Sequence, residues 1–61
     1  MAQIWMFETE KGRDKAKELI LPFRHPANLT EWLDEWTIKL EGTVHKQTEL
    51  MLKKVSAKRI D

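Results

Sequence analysis

A chain of 61 residues with no cysteine must close its folding balance by packing alone, or share the task with a partner. A domain of this length buries roughly 60% of the surface that its unfolded chain exposes. With roughly 6,000 Å² buried and about three-fifths of it apolar, burial contributes roughly 90 kcal/mol at about 25 cal/mol/Å². Ordering the residues costs about 1.5 kcal/mol each, again roughly 90 kcal/mol. The two sides cancel. Disulfides are excluded, so a metal or a second chain is what remains to tip the balance. The two histidines, His25 in a proline-flanked connector and His45 in a helical-looking stretch, match no zinc spacing. Neither a metal nor a cofactor is expected, residues 1–61 read as one domain, and the partner becomes the expectation to test.

Eleven basic residues against ten acidic leave a formal charge of +1, too even for a whole-molecule nucleic-acid footprint. No apolar run approaches the ~20 residues that span a bilayer, and Met1 to Phe7 lacks the basic and long apolar regions of a signal peptide. A cytoplasmic location is expected. Residues 44 to 60 combine Val44, Leu50, Met51, Leu52, Val55 and Ile60 with five basic side chains, the ingredients of a surface-membrane helix. Three consecutive apolar residues spread around the helix, however, so no clean lipid-facing stripe forms and membrane binding is not expected.

Along the chain, Ile4, Trp5, Met6 and Phe7 form a short apolar run rich in β-favouring types, read first as a strand or extended arm and second as a helical turn. Thr9 with Glu10 offers a helix start. The stretch to Leu21 places Ala16, Leu19 and Ile20 on one stripe, with Gly12 weakening its opening. Pro22 ends it, and Pro22 to Pro26 makes a stiff turn. Asn28, followed three residues later by Glu31, has the spacing of a capping box and predicts a second helix from Leu29. Leu29, Trp32, Leu33, Trp36, Leu40, Val44, Thr48, Met51, Leu52 and Val55 continue in strides of three and four, so one helix from about 29 to 58 is the simplest reading. Gly42 is its weak point: a break there, with Thr43 capping a fresh helix, would give a compact three-helix monomer.

The expected fold class is therefore mainly α: a short N-terminal apolar strand or arm, a helix near 10–21, a proline-bounded turn and a long C-terminal helix. An unbroken helix over residues 28–58 would be roughly 46 Å long against a diameter of about 27 Å for a globule of this size. Its overhang would need covering, which favours a helical homodimer. The seam expected is Trp32, Trp36, Leu40, Val44, Met51 and Val55, since tryptophans concentrate interface energy. Between residues 30 and 41 four acidic side chains outnumber one basic, and from 46 to 61 five basic outnumber two acidic. Such a polarised helix could pair head to tail, or offer Lys53, Lys54, Lys58 and Arg59 to an anionic partner.

An apolar strand followed by two helices resembles, in element order, the ribbon-helix-helix repressors. That resemblance implies dimerisation through the strand and base reading from its exposed face, where Gln3, Trp5 and Phe7 would stand if Ile4 and Met6 faced inward. Two aromatics are poor base readers. For catalysis there is no cysteine or tyrosine, the only serine is Ser56 in a basic stretch, and neither histidine has an acid or nucleophile at a recognisable spacing. The function expected is that of a non-enzymatic adaptor or regulator acting through another protein and a second copy of itself, with a small dimeric DNA-binding regulator as the alternative.

Overall fold

The computed structural model describes residues 2–20 and 25–61. The elements run β1 (Ala2–Phe7), α1 (Glu10–Lys15) continued by a π-helical turn (Ala16–Ile20), a 3-10 turn (Ala27–Leu29), β2 (Thr30–Trp32), β3 (Thr37–Glu41), α2 (Lys46–Lys54) and β4 (Ala57–Arg59). One antiparallel sheet holds all four strands in the order β2-β3-β1-β4. This β-α-β-β-α-β succession is the split β-α-β plan. The protein is thus a small α+β fold, and the mainly helical reading is corrected.

The predicted helix over 29–58 is replaced by a hairpin, a loop and a nine-residue helix, and neither the unbroken nor the three-helix version survives. The longest dimension of the molecule is 25 Å, about half of what the unbroken helix would need. With that helix goes the charge polarity along it and the helical homodimer built on its overhang. The reason lies in the stride. Trp32, Trp36 and Leu40 are four apart, which is one helical turn but also an even offset, and every even offset lies on one face of a strand. Ile38 separates the two readings. It falls off the helical stripe, yet it is fully buried opposite Trp5.

The apparent capping box has no helix to cap. Asn28 lies exposed in the 3-10 turn, and Glu31 is already in β2, paired with Lys39 across the hairpin. The Thr30 hydroxyl closes the turn by donating to the Pro26 carbonyl at 2.9 Å. Gly42 does mark a boundary: its φ of 75° ends β3 in a conformation that costs a side-chain-bearing residue energy. Thr43 does not cap the next helix. His45 does, its Nδ1 accepting from the Gln47 N–H at 3.2 Å.

The N-terminal half kept closer to its sequence. Residues 2–7 are a strand, and Thr9 caps α1 by accepting from the Gly12 N–H at 3.0 Å. Ala16 is fully buried, while Leu21 to Arg24 and the side chains of Leu19 and Ile20 lie outside the described residues. Gly12 has a reason to be glycine: a Cβ there would run into the Val55 carbonyl oxygen, so α1 can pack against the end of α2 only without a side chain at that point.

Register fixes the core. Trp5 pairs with Ile38 and Arg59, Gln3 with Leu40, and Phe7 with Ala57, so the odd positions of β1 share one face with the buried positions of its neighbours. Ala16 from the first helical segment and Leu52 from α2 close over Trp5, Phe7, Ile38, Leu40 and Ala57. Phe7 stacks on Trp32 at 5.7 Å. At the core's edge the Trp5 indole N–H donates to Gln3 Oε1, and Gln3 Nε2 donates to Glu49 Oε2, both at 2.9 Å. Glu49 reaches Arg59 at 4.0 Å, and Arg59 holds Asp61 at 2.7 Å. This polar chain ties β1, α2 and β4 together. Behind the hairpin, the buried His25 donates from Nε2 to the Glu41 carbonyl at 3.0 Å, a direction the acceptor-only carbonyl dictates. Among the described residues, no buried side-chain polar atom lacks a partner.

Candidate interaction surfaces

The second face of the sheet is covered by no described element. Its composition follows from the same register. Ile4 pairs with Lys39, and Lys39 with Glu31. The Ile60 N–H donates to the Ile4 carbonyl at 2.8 Å, which extends this row as Glu31, Lys39, Ile4, Ile60. Met6 pairs with Thr37 and Lys58, and Leu33 joins through its N–H to the Thr37 carbonyl at 2.9 Å, giving the row Leu33, Thr37, Met6, Lys58. Ala2 and Glu41 begin a third. Met6, Leu33 and Ile60 are 37%, 48% and 50% exposed. An apolar cluster running across strands on an otherwise polar surface is the usual mark of a contact site.

Charge on this face is arranged in pairs. Lys39 donates to Glu41 at 2.9 Å. That bond holds the Glu41 carboxyl below its ordinary value and the Lys39 ammonium above its own. At the β4 edge, on the helix-facing side of the sheet, hydrogen bonds from Arg59 and then from the Ile4 N–H keep the Asp61 carboxyl well below the usual carboxylate range. Among the described residues, no ion pair engages the Glu31 carboxylate on β2 or the Lys58 ammonium on β4, at the two edges of the sheet, although Glu31 also acts on Lys39 across the hairpin.

A second surface lies at the tip of the hairpin. Trp36 is 38% exposed, with the Arg13 guanidinium 4.7 Å from its ring centroid. Lys17 stands 4.6 Å over Trp32. The Trp36 N–H donates to Asp34 at 2.8 Å, a turn-closing bond; together with the Thr37 hydroxyl it lowers the Asp34 carboxyl from its ordinary value. A third feature is a cleft of about 210 Å³ between α1 and the end of α2, lined by Thr9, Lys11, Gly12, Lys15, Lys54, Val55 and Ser56.

The residues read from sequence as a self-association seam are mostly used inside one chain. Leu40 is fully buried, and Trp32, Val44, Met51 and Val55 pack against the core. Trp36 alone of the six is exposed, at the hairpin tip. The four basic candidates are scattered. Lys53 and Lys54 end α2, Lys58 is on the open face, and Arg59 is engaged by Asp61 and Glu49. The strand expected to form an intermolecular ribbon has both edges taken by β3 and β4. Trp5 and Phe7, placed by that reading on the outer face, are buried. What sequence reasoning missed is the open face itself, whose members alternate with core residues along β1 and become visible only once the strand is known to be central.

Among the described residues, no group of three His, Asp or Glu side chains comes together to hold a metal, and no helix is long and apolar enough to cross a membrane. Comparison of the chain with protein-family models, with curated proteins and with solved structures returned no match. The fold by itself names no activity, so function has to be argued from the surfaces above.

Proposed function

We propose that this chain is a non-enzymatic binding module that works through protein contacts made by the open face of its sheet. One observation carries the reading: Ile4, Met6 and Ile60 are neighbours across β1 and β4, with Leu33 beyond Thr37 on the same face, and nothing described covers that face. Apolar area of that kind is retained where a partner removes it from water. The alternative, a nucleic-acid partner, draws less support. Sheets that bind single strands do so by stacking bases on exposed aromatics, and here Trp5 and Phe7 face the helices while Trp32 is half-buried against Phe7. Among the described residues the open face carries two lysines, and one is held by Glu41. A cysteine-free chain has no need of an oxidising compartment, in keeping with a cytoplasmic home.

Site-specific photo-crosslinking in cells tests the proposal. A photoreactive residue at Met6 or Ile60 is expected to capture protein, and one at Lys17 or Lys53, on the helical side, is expected to capture little. Capture concentrated on the helical side, or capture of nucleic acid from the open face, would overturn it.

A further inference from the structure

We infer that the partner covering the open face is a second copy of the chain, docked sheet on sheet about a twofold axis that runs along the strands. The inference rests on the binding reading above and adds the occupant and its geometry. The argument starts from the two edges. Glu31 sits on β2 and Lys58 on β4, the outermost strands of the order β2-β3-β1-β4. A twofold axis parallel to the strands reverses left and right and therefore lays β2 of one copy over β4 of the other. Each Glu31 then faces the neighbourhood of the partner copy's basic edge, twice by symmetry. The residues lie one diagonal step apart along the strands, because Glu31 shares a row with Ile60 and Lys58 shares one with Leu33. Long side chains span such a step.

The other face-to-face twofold, perpendicular to the strands, lays β2 over β2 and β4 over β4. It brings carboxylate to carboxylate and ammonium to ammonium, an arrangement that like charges disfavour. The parallel axis also sets the apolar columns of β1 in one copy over the β3–β2 half of the other. Met6 comes over Thr37 beside Leu33, and Ile4 meets the aliphatic stem of Lys39, whose charged end is turned to Glu41. Strand directions in such a pair stay within the roughly 30° that twisted sheets adopt when stacked.

Area limits the strength. The two longest dimensions of the molecule, 25 and 20 Å, cap the face at on the order of 500 Å² per copy, so a pair hides about 1,000 Å², the lower edge of specific association. The pair is thus a reversible one, populated at high local concentration.

Sedimentation velocity across a hundredfold range of concentration tests this, with wild type, Glu31→Lys, Lys58→Glu, the double variant, and an equimolar mixture of the two single variants. Expected are a concentration-dependent dimer for wild type and a tenfold or greater loss of dimer affinity in each single variant. The double variant should recover, and the mixture should form a heterodimer, because each variant's edges then meet an opposite charge. Circular dichroism confirms folding. Glu31→Gln, which sets no lysine beside Lys39, serves as the milder variant should Glu31→Lys disturb the hairpin, and amide-shift mapping of wild type locates the contact without any substitution. Wild type that stays monomeric throughout, single variants that dimerise as wild type does, or shifts confined to the helical side would overturn the inference. Monomeric wild type with open-face crosslinks to other proteins would discard only self-pairing; a dimer joined through its helices would discard the binding reading as well.

Discussion

The two sides of β1 are built from much the same material and meet different surroundings. On one side, Trp5 and Phe7 are 1% and 2% exposed beneath Ala16 and Leu52, and Gln3 turns its amide to the indole and to Glu49. On the other, Ile4 and Met6 stand in rows with Lys39, Lys58 and Ile60, and Met6 is 37% exposed. Successive residues of one strand therefore divide between holding the monomer together and presenting a surface. Apolar character alone does not say which role a residue has; what lies above it does.

The sharpest way to break that comparison is substitution on each side. Trp5→Ala removes a buried aromatic and strands the Gln3 amide, and is expected to cost about 3–5 kcal/mol, enough to unfold much of a domain this small. Met6→Ser, one residue away on the open side, is expected to stay within about 1 kcal/mol. Urea unfolding of the two variants side by side reads the difference, and equal losses would mean that the open side is a core as well. Gly12→Ala comes next. Its Cβ meets the Val55 carbonyl, which cannot retreat without moving the end of α2, so a loss of about 2–3 kcal/mol is expected. Gly42→Ala has room beside it, with Leu29 Cδ1 at 3.4 Å. It should lose only about 1 kcal/mol through its φ of 75°. Thermal melts of the glycine pair separate close packing from backbone strain.

Smaller effects sharpen the picture at the rim. Trp36→Ala gives up the Arg13 contact, expected to be about 0.5–1 kcal/mol at an exposed site, with the circular dichroism spectrum unchanged. His45→Asp replaces a weak helix cap with a strong one and should raise stability by about 0.5 kcal/mol, seen as a small rise in melting temperature. Acid provides the last comparison. The carboxyls of Glu41, Asp34 and Asp61 are depressed in the folded chain, so their contribution is present above the ordinary carboxylate range near pH 4 and fades as pH falls from there through their lower folded values. Replacing Lys39 with Met should flatten the Glu41 part of that decline, checked by melting temperature from pH 5 to pH 2.

How much of this could be read from residues alone depended on the distance between partners. Thr9 as a cap and the strand character of residues 4–7 were readable because each rests on neighbours a few positions away. The hairpin was not. A stride of four suits helix and strand alike, and Asn28 with Glu31 imitates a cap signal when the residues between them are ignored. Thr30, Thr37 and Ile38, β-branched and flanking the turn made by Asp34 to Trp36, held the contrary signal. The polar chain from Gln3 through Glu49 to Arg59 opens with a bond between residues 46 apart in sequence, and no local pattern announces such a pairing. The open face depends on the full strand order and inherits that difficulty.

The placement of β1 between β3 and β4 has a consequence for how the chain is made. Of the four strands of this sheet β1 is made before its neighbours, and it takes its partners from residues 37–41 and 57–59, so neither edge of it can be satisfied until those later residues have left the ribosome. Ile4 to Phe7 must wait in the unfinished chain with both hydrogen-bonding edges open, the state in which nascent strands stick to one another. The ring closures that end this wait span most of the molecule, and so set a slow pace for folding relative to a helical bundle of equal size.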